Sequence, residues 1–271
     1  MRITTLIEND TIDSKLKSAH GLSLHIDTGT YKLLVDTGPN NSFVKNAVKL
    51  GIDLAEVDML FITHGHNDHG TGLSKFLKIN KKAEVFVTKK AFDQHVKQKG
   101  SNYIPIGLKK PKKESRIRYV EDNMWLNDEI SLFTKVKYVK QPIEDNSLKV
   151  YENKEYIEDH FDHEMYIVIH EKENNVLISG CSHKGIDNII KTIEKTDNIH
   201  LSHVVAGMHF SHYNPFDIKQ TDYLQQIGGS FSKRQTAFYA CHCTGDEAYF
   251  ELNRVMKTNL HRIKTGDVIN I

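Results

Sequence analysis

A chain of 271 residues with 39% hydrophobic content is long enough to bury a sizeable core, and the pattern of elements predicts one large domain. With 36 Lys and Arg against 35 Asp and Glu, no global field recruits nucleic acid or a membrane surface, and three cysteines are too few for a disulfide framework. The amino terminus turns polar and acidic by Glu8 and Asp10, and no stretch reaches the length of a membrane span, so the expected setting is cytoplasmic.

Residues 2–8 alternate as a first strand, and residues 22–27 and 31–36 flank Thr28-Gly29-Thr30 as a hairpin. Phe43, Val44, Ala47, Val48 and Leu50 recur at helical spacing, with Gly51 as the C-cap. The run 57–62 is β-branched and aromatic, as a buried strand is. Directly behind it stands His64-Gly65-His66-Asn67-Asp68-His69, closed by Gly70-Thr71-Gly72. Three imidazoles and a carboxylate within six residues cannot share one face of a strand or helix. A loop that folds them around a point has its reason in a metal, since imidazole and carboxylate are common ligands of zinc and related divalent ions. The x of His-x-His lets two rings close on one ion, and Asp68 with His69 suits a second. The alternative is a solvated, His-rich turn. With 16 histidines in the chain, being a histidine is not itself evidence of ligation.

A helix over 73–79 and a strand over 83–87 continue a βαβ rhythm. Between 95 and 118 the pattern breaks at Gly100, Pro105, Gly107 and Pro111, within a run rich in Lys and Arg that includes Lys109, Lys110, Lys112 and Lys113. This segment is expected to be an insertion or lid: either a solvated face or a flap that steers an anion. It has few aromatic neighbours and no nucleic-acid fold signature. Strands follow over 125–138, then a polar connection over 145–159, then a second hairpin over 165–170 and 175–179 that begins at His163 and ends at Cys181. Ile186, Ile189, Ile190 and Ile193 predict a helix, residues 203–208 a strand closed by His209, and residues 221–227 a helix. His212 reads as an exposed loop residue. A short strand over 236–240 ends in Cys241-His242-Cys243-Thr244-Gly245, which lacks the second cysteine pair of a zinc finger. The last residues, 266–271, read as an edge strand.

The six-residue loop resembles the His-x-His-x-Asp-His signature of the metallo-β-lactamase superfamily. Residues 179–186, 207–210 and 241–245 are similar to a subgroup, the 7,8-dihydropterin-6-ylmethyl-4-(β-D-ribofuranosyl)aminobenzene-5′-phosphate synthase-like proteins. The resemblance implies an α/β fold, a four-layer αβ/βα sandwich, and a site for two divalent metal ions, zinc first with manganese or iron as alternatives. It implies His64, His66, Asp68, His69 and His209 as ligands, and Asp36 as a brace for the metal loop. His163 matches the place of a third ligand of the first metal, with His160 as its rival. Cys181 stands where the superfamily has a bridging carboxylate: either its thiolate binds metal, or it is a small buried hydrophobe and His183 supplies the ligand. His242 lies on a segment that, in the subgroup, is at the substrate pocket, and is a candidate for substrate contact or proton transfer. The implied reaction is hydrolysis of a small anionic or phosphorylated ester by a metal-bound hydroxide, with Asp68 orienting the nucleophile. The alternative is transfer from a dihydropterin diphosphate.

Overall fold

The computed structural model describes residues 1–112 and 115–271, which divide into two compact units. The first comprises residues 1–122, 146–165 and 264–271, and the second residues 123–145 and 166–263.

In chain order the first unit receives β1 (Arg2–Ile7), β2 (Ser23–Asp27), β3 (Lys32–Val35), α1 (Ser42–Lys49), β4 (Met59–Phe61), α2 (Asn67–Gly70), α3 (Leu73–Ile79), β5 (Glu84–Val87), β6 (His95–Lys99), β7 (Asn102–Pro105) and β8 (Ile117–Tyr119). The second takes β9 (Met124–Asn127) and β10 (Ile130–Phe133), and the first then takes β11 (Leu148–Glu152) and β12 (Glu155–Glu158). The second unit continues with β13 (Tyr166–Glu171), β14 (Asn174–Ser179), α4 (Ile186–Asp197), β15 (His203–Gly207), α5 (Ile218–Phe231), β16 (Ala237–Cys241), α6 (Asp246–Met256) and β17 (Leu260–Arg262). The closing strand, β18 (Val268–Asn270), lies in the first unit.

Each unit is built on a seven-stranded sheet with one antiparallel and one parallel half. In the first the order is β18-β1-β2-β3-β4-β5-β8, antiparallel as far as β3 and parallel beyond it. In the second it is β17-β16-β15-β14-β13-β10-β9, and the strands from β14 to β17 are parallel. Such parallel strands are buried on both faces, which is why 59–62, 176–178 and 204–206 read as continuous apolar runs. A smaller sheet, β12-β11-β6-β7, belongs to the first unit.

Helical periodicity explains how each sheet is covered. In α4 the buried residues are Ile186, Ile189, Ile190 and Ile193, an i, i+3, i+4, i+7 stripe. They join Val168, Leu177, Val204 and Phe238 of the sheet in one core, with Leu224 and Phe231 of α5 and Leu252 and Met256 of α6. In the first unit, Phe43 and Ala47 of α1 and Leu73 and Phe76 of α3 pack with Leu34, Leu60 and Val85. Each such large apolar side chain, fully buried, stabilises by roughly 1.5–3 kcal/mol relative to exposure.

Two parts of the sequence-based expectation differ. The polar connection over 145–159 contains the β11–β12 hairpin, and α6 occupies residues for which no helix was expected. The hairpin is half-exposed to exposed along most of its length, so neither face shows the apolar alternation that marks a strand. The 95–118 segment supplies the β6–β7 hairpin and β8, and buries His95, Val96, Leu108 and Ile117. Lys113 lies outside the described residues. Among the described residues no helix is long and apolar enough to cross a membrane.

Candidate metal centre

The carboxyl ends of the parallel strands are where open sheets present side chains to ligands. Strands β3 and β4 are neighbours in register, Val35 opposite Phe61, so the residues that follow them, Asp36 and the loop from Thr63 to His69, leave the sheet together. Asp36 takes a left-handed backbone, φ 57°, which Asp tolerates better than most residues, and its side chain is wholly inaccessible. One carboxylate oxygen accepts from the Thr63 N–H at 2.8 Å; the other accepts from the Thr63 hydroxyl at 2.7 Å and faces His69 Nδ1 at 2.6 Å.

Proton bookkeeping along this chain sets the imidazole tautomers. An ionised carboxylate only accepts, so His69 presents Nδ1–H to Asp36 and keeps its lone pair on Nε2. The single hydroxyl proton of Thr63 goes to Asp36, so the contact of Thr63 Oγ1 with His64 Nδ1 at 3.0 Å has His64 donating, and its lone pair too stands on Nε2. A carboxylate that fixes the ring of a ligating histidine in this manner is the usual support of a metal site.

His64 and His69 are inaccessible and His66 is 5% exposed. The ring of His64 lies 4.7 Å from that of His66 and 4.2 Å from that of His69, centroid to centroid. Burial is the largest cause that holds His66 well below the ordinary imidazole range. The ring is therefore neutral near pH 7, the form that binds metal. Asp68 lies at the rim, with Oδ2 3.6 Å from His20 Nε2 and 3.8 Å from His69 Nε2.

His163 is buried and His160 is exposed. His163 Nδ1 accepts the backbone N–H of Gly65 at 2.9 Å, and its Nε2 faces Asp159 Oδ2 at 3.2 Å. His95 joins the same carboxylate oxygen through Nδ1 at 2.9 Å. Burial pushes the Asp159 carboxyl up, but the interactions with His163 and His95 outweigh it and hold the group well below the usual carboxylate range. Neither His95 nor Asp159 was singled out from sequence. The one local sign was the i, i+4 spacing of Asp159 and His163.

In the second unit, Cys181 to His183 follow β14, His209 follows β15, and Cys241 to Cys243 close β16, three adjacent parallel strands. Ser182, His209 and His242 all adopt left-handed backbones, with φ of 58°, 53° and 46°, the kind of local cost that surrounding structure sustains at functional turns. The donor atoms of Cys181, His183 and His209 lie within 4.8 Å of one another, and the rings of His183 and His209 are 4.0 Å apart. Cys181, His242 and Cys243 form a second such group. Gly207 makes room for it, because a Cβ there would stand 2.7 Å from Cys243 Sγ. Burial pushes the Cys243 thiol up, but hydrogen bonding with Cys181 and His209 and the nearby His242 bring it well below the ordinary thiol range. His212 is paired with Asp145 at 3.1 Å and half-exposed, in keeping with a loop position.

The donor chemistry fits a divalent ion in both units: neutral imidazoles with lone pairs on Nε2 beside a carboxylate in the first, and a thiol with two imidazoles in the second. Half-parallel sheets carrying such groups at their strand ends define an α/β protein equipped to bind metal. The chain belongs to the metallo-β-lactamase superfamily, whose family model matches residues 20–193. The solved structure of Tm1679, described as a metal-dependent hydrolase of the β-lactamase superfamily, is similar over 100% of this chain and 99% of its own, with a TM-score of 0.81 and 29% identity. A Methanocaldococcus jannaschii protein of uncharacterised function is 26% identical over 261 residues, 93% of this chain and 94% of the relative. From the same organism, 7,8-dihydropterin-6-methyl-4-(β-D-ribofuranosyl)-aminobenzene-5′-phosphate synthase is 27% identical over 290 residues, 99% of this chain and 96% of the relative.

Proposed function

We propose that the protein is a metal-dependent hydrolase acting on a small anionic or phosphorylated ester. The observation that carries this reading is the tautomer lock, in which Asp36 and Thr63 leave the Nε2 lone pairs of His64 and His69 facing away from the carboxylate. His64, His66, Asp68 and His69 are the candidate ligands on the first unit, and Cys181, His183 and His209 those on the second. Zinc suits both donor sets, with manganese or iron as alternatives. Divalent ions held there, two per chain, supply Lewis acidity and lower the pKa of water toward neutrality. The protein's own contribution is to hold neutral imidazoles in fixed orientation, to aim the rim carboxylate of Asp68 at the nucleophile's proton, and to offer His242 for proton transfer or substrate contact. Anionic character of the substrate is supported by Lys109, Lys110 and Lys112, all exposed on one short segment.

A second reading is group transfer from a dihydropterin diphosphate, favoured by the 27% identity, over almost the whole chain, to a protein named as a synthase of that type. Screening the metal-loaded protein against phosphodiesters, thioesters, lactones and pterin diphosphates, with Asp68→Asn as control, separates the two. Turnover of an ester in water that is lost in the variant supports hydrolysis. Turnover only when a pterin diphosphate and an arylamine acceptor are both present supports transfer.

A further inference from the structure

Gly65, the middle residue of His64-Gly65-His66, is gripped from two sides by histidines outside the six-residue motif. Its N–H donates to His163 Nδ1 at 2.9 Å. On its other side a Cβ would stand 2.8 Å from His95 Nε2, 2.9 Å from His95 Cδ2 and 2.6 Å from the carbonyl of Ala91, so the His95 ring occupies the place of a side chain. The rings of His95 and His163 lie 4.1 Å apart and share Oδ2 of Asp159. All three side chains are buried, at 1%, 3% and 1% exposure for His95, Asp159 and His163.

The donor atoms of these three and of His66 lie within 4.8 Å of one another, which would also suit a cation. Counting protons decides between the two roles. A backbone N–H can only donate, so His163 Nδ1 holds a lone pair and the ring proton sits on Nε2, directed at Asp159. A metal on that nitrogen would require an imidazolate. His95 Nε2 faces the carbonyl of Lys90 at 3.0 Å and its Nδ1 faces the carboxylate, so both its nitrogens are already engaged within the protein. The remaining Asp159 oxygen accepts from the Phe161 N–H at 2.7 Å. The ring nitrogens of His95 and His163 and both oxygens of Asp159 are thus engaged within the protein. The surroundings anchor the cluster, through Thr88 Oγ1 donating to the His163 carbonyl at 2.9 Å and the Ile106 N–H donating to the His95 carbonyl at 3.0 Å.

We propose that His95, Asp159 and His163 are positioning residues, a buried clamp that fixes the backbone of the His-x-His turn at Gly65 and so sets the approach of the His64 and His66 rings. In this role His163 supports the metal loop instead of ligating it. The inference rests on the reading of that loop as a metal site.

Long-range ¹H–¹⁵N spectra of histidine-labelled protein test it, metal-free and loaded with cadmium-113. The metal-free protein should show His163 with its proton on Nε2; with cadmium, coupling should appear at Nε2 of His64 and His69 and be absent at His95 and His163. Asp159→Asn should leave the cadmium stoichiometry unchanged while lowering affinity at least ~10-fold, the usual cost of losing a group that orients ligands. Cadmium coupling at either His95 or His163, or a His163 proton on Nδ1, would overturn the clamp. Absence of cadmium coupling at His64 and His69, with the ring protons placed as stated, would overturn the metal reading of the loop and, with it, the purpose assigned to the clamp.

Discussion

Asp36 Oδ2 lies 2.6 Å from His69 Nδ1 with both side chains fully inaccessible, and the same oxygen takes the hydroxyl proton of Thr63, which in turn accepts from His64. One carboxylate thereby orients two imidazoles. Asp36→Asn keeps the left-handed backbone that Asn tolerates but offers an amide N–H where His69 and Thr63 need an acceptor, so it should weaken zinc binding by about 10- to 100-fold. Asp36→Ala should add a backbone cost of roughly 1–2 kcal/mol and lower the melting temperature further. Competition with a chromophoric chelator and thermal melts measure both. Zinc affinity unchanged in Asp36→Asn would mean that the rings are held by packing alone.

Stability of the metal-free protein should fall as pH drops below about 6.5. Burial holds His66 well below its ordinary range, and burial is also the leading cause of the lowered values of His25 and His203. Below the unfolded-state value near 6.5 the unfolded chain takes up protons that the native chain does not, so the stability these groups contribute is present above that pH and is lost as pH falls through their folded values. His66→Gln removes one such proton and should flatten the curve between pH 6.5 and 5. An identical pH profile for variant and parent would show that His66 is not the group responsible.

How much of this was legible from sequence follows from what each feature depends on. The histidine-rich loop and the parallel strands were readable because their signals are local: six consecutive residues in one case, continuous apolar runs in the other. The ring of residues around the loop was not. Asp159 sits after an exposed hairpin with no periodicity and His95 begins a strand in a Lys-rich segment, and only the pairing of β6 with β11, Val150 opposite His95, brings these parts of the chain together. Gly65 looked like the spacer that any His-x-His motif has. Its need for glycine comes from a ring thirty residues away in sequence.

The lysine-rich segment predicts a kinetic effect without a structural one. Lys109, Lys110 and Lys112 are exposed, and Lys110 lies over the ring of Tyr119 at 5.7 Å. By contrast, Arg116 donates to the carbonyls of Ala83 and Leu77, and Arg118 pairs with Glu84, so those two cations are spent on the fold. Replacing Lys109, Lys110, Lys112 and Lys113 with Gln should raise KM for an anionic substrate several-fold and flatten its salt dependence, with kcat and the melting temperature nearly unchanged. Salt dependence equal to that of the parent would return these residues to an ordinary solvated surface.

The residue that departs from the superfamily pattern, Cys181, lies in one donor group with His183 and His209 and in another with His242 and Cys243. Two chemistries follow, and metal counts on two variants choose between them. If the Cys181 thiolate binds metal, Cys181→Ser should lose close to one equivalent of zinc, and bound metal should shield the buried thiols from iodoacetamide until a chelator is added, because only a free thiolate attacks well. If His183 is the ligand, His183→Ala should carry that loss and Cys181→Ser should keep full occupancy. The imidazole is the commoner partner in a site otherwise built from nitrogen and oxygen donors, so the larger loss is expected in His183→Ala. The low-lying thiol of Cys243 complicates the alkylation arm, since it reacts readily in its own right once exposed; a Cys243→Ser background isolates Cys181. Full zinc content in both single variants would mean that this turn shapes the site without touching the ion.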